Sequence, residues 1–152
     1  MNLKSLWKNH WTWIILGIIV LFGLVIRLYA LGESGMWIDE TISSLTMRQI
    51  LSHGSMAFDS GGNEHRAYVF HYLSSVGLWI FGGDFGAKFF SVIIGLFSIV
   101  LAYLFGREYN EKAGLIAAVV CAVLYFEVVF SRQARMYQLF QFSFFLSIYL
   151  LY

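Results

Sequence analysis

An all-α, membrane-spanning fold is what this sequence predicts, and three observations predict it. Hydrophobic residues fill 59% of the 152 positions and charged residues only 12%, more apolar surface than a domain of this size can withdraw from water. The apolar residues fall in long uninterrupted runs, unlike the alternating pattern of a barrel strand, and helices satisfy their own backbone in lipid. There is no proline, so the helices are expected to be continuous.

The first run, residues 11–31, is about 21 residues or roughly 31 Å of helix, the depth of a bilayer core. It is longer than a signal-peptide core and ends without a small-residue cleavage site, so it is expected to be a retained anchor with Trp11 and Trp13 at the membrane interface. Lys4 and Lys8 precede it, and the positive-inside rule places the N-terminus in the cytoplasm and residue 32 onward outside. The plasma membrane is the expected location. Residues 32–66 change to Gly, Ser, Asp, Glu, His and Asn and form a long connection suited to function. Within it a short helix is expected over 41–52 and a flexible turn at Ser60-Gly61-Gly62-Asn63.

Residues 67–81 are short for a span and carry His71, Ser74 and Ser75 as a polar stripe. A helix lying on the membrane surface is the favoured reading, and a span is the alternative. On the favoured reading the fold is a polytopic helical bundle with spans at 11–31, 87–105, 113–130 and 137–152. Residues 32–86 then make a first external loop with short surface helices, the connection carrying Arg107 and Lys112 is cytoplasmic, and 131–136 is outside; spanning by 67–81 would invert the last two. Gly82-Gly83-Asp84-Phe85-Gly86 lacks the ending of a nucleotide loop and is expected to be a turn.

A net charge of +1 without a large basic cluster argues against a nucleic-acid partner. The single cysteine, Cys121, lies in an apolar run and is expected to pack. The four histidines show no zinc spacing; no cofactor is assigned, and a divalent metal is left open.

Three polar groups border the apolar segments, where ionisable side chains are costly. Asp39 and Glu40, in Trp37-Ile38-Asp39-Glu40, suit a general base with a hydrogen-bonding or metal partner; alternatively Asp39 caps a helix beginning near Thr41 and Glu40 favours its positive end. Glu64-His65-Arg66 precedes the 67–81 helix and suits a phosphate, or is a solvated helix start. Arg132 and Arg135, three apart before Tyr137, are expected on one helical face as a phosphate clamp with Glu127 paired to either, or as snorkelling residues that meet lipid headgroups.

In this order the groups resemble the N-terminal part of membrane glycosyltransferases with a multi-spanning C-type fold, the family that includes protein O-mannosyltransferases and lipid A aminoarabinose transferases. The resemblance rests on Arg27 and Leu31 near the end of the first run, the Trp37-Ile38-Asp39-Glu40 motif and Glu64 before an aromatic-rich helix. It continues through Leu78-Trp79-Ile80-Phe81-Gly82, Gly106-Arg107 and Ala134-Arg135-Met136-Tyr137, and so covers essentially the whole chain. It implies transfer of a sugar from a polyprenyl-phosphate donor to a lipid, glycan or protein acceptor at the extracytoplasmic face. Asp39 would deprotonate the acceptor with support from Glu40, while Glu64, His65, Arg66, Arg132, Arg135 and Tyr137 would surround the donor phosphate. The chain matches the front third of such an enzyme, so it is expected to be inactive alone, either with a second polypeptide supplying further helices or as a truncated product. A non-catalytic membrane subunit is the rival expectation.

Overall fold

The computed structural model describes residues 10–58, 62 and 66–151. Glu64 and His65, like Lys4 and Lys8, lie outside the described residues. Those residues form seven helices and no strand. They are α1 (His10–Leu28), α2 (Ile38–His53), α3 (Tyr68–Phe81), α4 (Gly83–Tyr109), α5 (Glu111–Val123), α6 (Tyr125–Ser131) and α7 (Tyr137–Leu151). Two of them, α1 over Trp11–Leu28 and α4, are long and apolar enough to cross a membrane, and the bent pair α5–α6 makes a third if it counts as one span.

Helix α4 is the centre, with α1, α3, α5, α6 and α7 all packed on it. One apolar cluster joins α1, α4 and α5 through Leu16, Ile19, Ile99, Tyr103, Ala118 and Ala122. A second, around Met47, Phe70, Leu78, Ala87 and Ala134, joins α2, α3 and α4 to the segment before α7. Glycines let the hairpin partners touch backbone to backbone: a Cβ on Gly77 would stand 2.7 Å from the Gly86 carbonyl oxygen, and one on Gly106 would stand 2.7 Å from that of Ala113. Small residues at such crossings are how helices associate when lipid removes the hydrophobic drive between them. The outer faces stay apolar, as Ile14, Ile18, Leu21 and Val25 on α1 illustrate.

Several element boundaries differ from the sequence expectations. The helix expected at 41–52 runs over Ile38–His53, because Trp37 adopts an extended N-cap conformation and Gly54, at φ 70°, closes the other end. The glycine turn is confined to Gly82 and Gly83, which take φ of 66° and 53°, while Asp84, Phe85 and Gly86 belong to the first turn of α4. At its far end α4 continues to Tyr109, leaving Asn110 alone between α4 and α5; the Asn110 side chain accepts from the Ala113 N–H at 2.8 Å and caps α5.

The largest departure is in the run expected as one continuous span. It breaks at Leu124, and α5 and α6 meet at 59° without proline. Leu124 leaves helical geometry with ψ 126°, which removes the next two N–H groups from the carbonyls of Cys121 and Ala122. Those carbonyls are met by Arg27, which is fully buried: its Nη1 donates to Ala122 O at 3.0 Å and its Nη2 to Cys121 O at 3.3 Å. Nη1 also reaches the Gly23 carbonyl of its own helix at 3.2 Å. Room for the guanidinium comes from Gly23 and Gly95, where a Cβ would lie 3.3 Å from Nη1 and 3.0 Å from Nε.

Replacing Arg27 with Met is therefore expected to cost about 3 kcal/mol or more, since two buried carbonyls lose their donors. Gly95→Ala, whose Cβ would also press to 2.6 Å from Ser131 Cβ, is expected to cost about 1–3 kcal/mol by overpacking. Both are read as loss of thermal stability in detergent by tryptophan fluorescence.

Candidate functional site

The polar residues of α2 and of the link between α6 and α7 converge at one end of α4. Glu40, at the third position of α2, is 3% exposed and its two carboxylate oxygens divide between two strands of the chain. Oε2 accepts from the Trp37 N–H at 3.1 Å, closing the first turn of α2, and Oε1 accepts from the Ala134 N–H at 2.8 Å. Glu40 thus joins the two segments that carry the expected site. The alternative expectation, Asp39 as the helix cap, gives way to Trp37 as the cap residue and Glu40 as the acid that reaches back.

Asp39 lies one residue earlier on the solvent side, its side chain 65% exposed, with Oδ2 3.7 Å from Arg135 Nη2. Arg135 is held by more than this pair. Its Nη1 donates to the Asp39 carbonyl at 3.1 Å and to Ser43 Oγ at 3.2 Å, and its guanidinium stands 5.6 Å from the Tyr137 ring centroid. Its Nε is buried without a hydrogen-bond partner among the described residues.

Two clefts flank this pair. The smaller, about 90 Å³, is lined by Asp39, Ser43, Arg66, His71 and Arg135, and its wall at Ala67 is strained, with φ 54°. The larger, about 500 Å³, opens beside Asp39, Glu40, Arg135 and Tyr137 and runs along Phe140 and Gln141. Asp39 and Arg135 border both. The polar stripe of α3 faces inward, with His71, Ser74 and Ser75 buried, while Val69, Val76 and Trp79 are exposed.

The expected pairing of the two arginines on one helical face is overturned. Residues 132–136 are not helical, so the spacing of three does not align the side chains. Arg135 turns to α2, whereas Arg132 donates from Nη1 to the Ile26 carbonyl at 2.9 Å, at the end of α1. The expected pairing of Glu127 with either arginine is overturned too. Helix α6, redirected by the break at Leu124, turns Glu127 toward α7, where it accepts from Gln141 Nε2 and, at 3.3 Å, from Gln138 Nε2. Gln138 also donates to Ser98 Oγ at 3.0 Å.

Sequence reasoning missed that network, although Gln138 and Gln141 stand three apart on an apolar helix. It also passed over Lys88, a lysine inside the run 87–105 whose presence was itself a signal. Among the described residues no group of three His, Cys, Asp or Glu side chains is placed to hold a metal. Comparison with family models, curated proteins and solved structures finds no match to this chain.

Glu40→Ala is expected to cost about 2–4 kcal/mol, because two buried N–H groups lose a charged acceptor. Asp39→Ala, by contrast, is expected to cost under about 1 kcal/mol, since its ion pair is largely solvated. Thermal unfolding of the two variants in one detergent checks the contrast.

Proposed function

We propose that this chain is part of a membrane glycosyltransferase that transfers a sugar from a polyprenyl-phosphate donor to an acceptor at the extracytoplasmic face of the plasma membrane. The observation that carries the proposal is the placement of the exposed Asp39 carboxylate at the mouth of two clefts, 3.7 Å from the guanidinium of Arg135. Transfer needs a base for the acceptor and cations for the leaving phosphate, and these two groups supply one of each. The order of motifs that resembles the C-type glycosyltransferases supports the same assignment.

In this proposal Asp39 takes the acceptor hydroxyl proton as the oxygen attacks the anomeric carbon. The bond from that carbon to the phosphate oxygen breaks, and the charge left on the phosphate meets Arg66 and Arg135, which share a cleft with Asp39, with Tyr137 against Arg135. Glu40 supports Asp39 by tying α2 to Ala134. The N-terminus is cytoplasmic, residues 32–86 form the external loop, and the chain is polytopic. The outward apolar face of α3, including Val69, Val76 and Trp79, supports its lying against the membrane surface.

One observation favours a second reading, a non-catalytic membrane subunit. Glu40 has both oxygens engaged by backbone N–H groups, and Asp39 is paired; both are compatible with a purely architectural acid pair.

Asp39→Asn separates the two readings, assayed as sugar transfer in membranes that contain the chain with whatever partners it has there. A fall of about 10²–10⁴-fold with normal insertion is expected for a general base. Transfer equal to that of the unsubstituted chain sinks the base role.

A further inference from the structure

Lys88 is 1% exposed, near the start of α4. Its Nζ donates to the Ser34 carbonyl at 2.6 Å and to Ser34 Oγ at 3.1 Å, which leaves one of the three ammonium hydrogens. Lys88 forms no ion pair with any carboxylate among the described residues. Arg132 has none either, and its hydrogen bond to the Ile26 carbonyl engages one nitrogen of the fork.

These two cations line a single cleft of about 340 Å³, with Ser34, Trp37, Glu40 and Gln133. Trp37, Glu40 and Gln133 also line the larger Asp39 cleft, so the two spaces adjoin across them. Glu40 is the one carboxylate on the wall, and both its oxygens already accept from backbone N–H groups. A buried ammonium without a neutralising partner is costly, and near an apolar segment such a group marks a ligand pathway.

We propose that the Lys88–Arg132 cleft binds a phosphate group. A compact ammonium and a planar guanidinium fork together fit the several acceptor oxygens of a phosphate. The same cleft is also lined by Val128 and Val129 of α6 and by the exposed Tyr125, apolar surface suited to the first carbons of a lipid attached to that phosphate. The assignment deepens the transferase proposal by adding Lys88 to the residues around a donor phosphate, and rests on that proposal for the donor's identity.

The test is a titration of the purified full chain in dodecyl maltoside micelles with dioleoyl phosphatidate and, separately, with inorganic pyrophosphate, read by microscale thermophoresis. Saturable binding of either supports the site: phosphatidate alone identifies a lipid phosphate, and pyrophosphate alone a free one. Binding of neither overturns it. Lys88→Met is expected to weaken binding about tenfold or more and Lys88→Arg to restore it to within about threefold; Lys88→Met binding like the parent chain overturns the assignment. Arg132→Gln, at a half-buried position, gives the same test if Lys88→Met does not fold. Lys88-dependent binding together with an Asp39→Asn variant that transfers like the unsubstituted chain would sink the transferase proposal alone, and Asp39-dependent transfer without Lys88-dependent binding would sink this one alone.

Discussion

The placement of Arg27 against two backbone carbonyls is the constraint on which the rest of this structure depends. An apolar helix that stops at Val123 and resumes at 59° leaves carbonyls that lipid cannot satisfy. The Arg27 guanidinium meets those of Cys121 and Ala122 from the neighbouring α1, and Gly23 and Gly95 leave it the space. With the break stabilised, α6 turns Glu127 toward α7 and delivers the 132–136 link across the start of α2. A straight continuation of α5 would carry that link elsewhere, and the Glu40 contact with Ala134 would not form.

The same device recurs with the other interior cations. Arg132 donates to Ile26 O, one of the last carbonyls of α1 and one without an intrahelical donor, and Lys88 donates to Ser34 O in the loop beyond. Positive charge is favourable at the carbonyl end of a helix, so Arg132 closes α1, and both cations retain hydrogens for something else. Glu40 does the reverse, using one carboxylate to satisfy N–H groups from two segments far apart in sequence. Arg135 then ties the same segments from the exposed side through Asp39 and Ser43. The outcome is a polar end of the molecule in which backbone groups, more than ion pairs, hold the charged side chains, and in which Asp39 is left accessible.

Much of the architecture was legible because its causes are local. The apolar runs of α1 and α4 need only length and hydropathy to be seen, and the helix near residue 40 announced itself by its acids and following apolar positions. Its exact cap did not, since Trp37 serves there only because Glu40 reaches back to it. The fan-out of Arg132 and Arg135 was not legible, because a spacing of three places side chains together only on a helix and residues 132–136 are not one. Lys88 escaped for a related reason: sequence shows a lysine in an apolar run, while its lack of an ion pair depends on which side chains surround it.

By itself, then, the sequence determined an all-helical chain with apolar helices able to cross a membrane and a short set of polar residues at their borders, because helix formation and hydropathy are summed over neighbouring residues. Only the tertiary structure decided where an apolar run breaks, which carbonyl each cation meets and which polar residues share a cleft. Those outcomes rest on contacts such as Arg27 with Ala122 and Glu40 with Ala134, between residues some 95 positions apart, and no local pattern encodes which distant backbone group will be left without a partner.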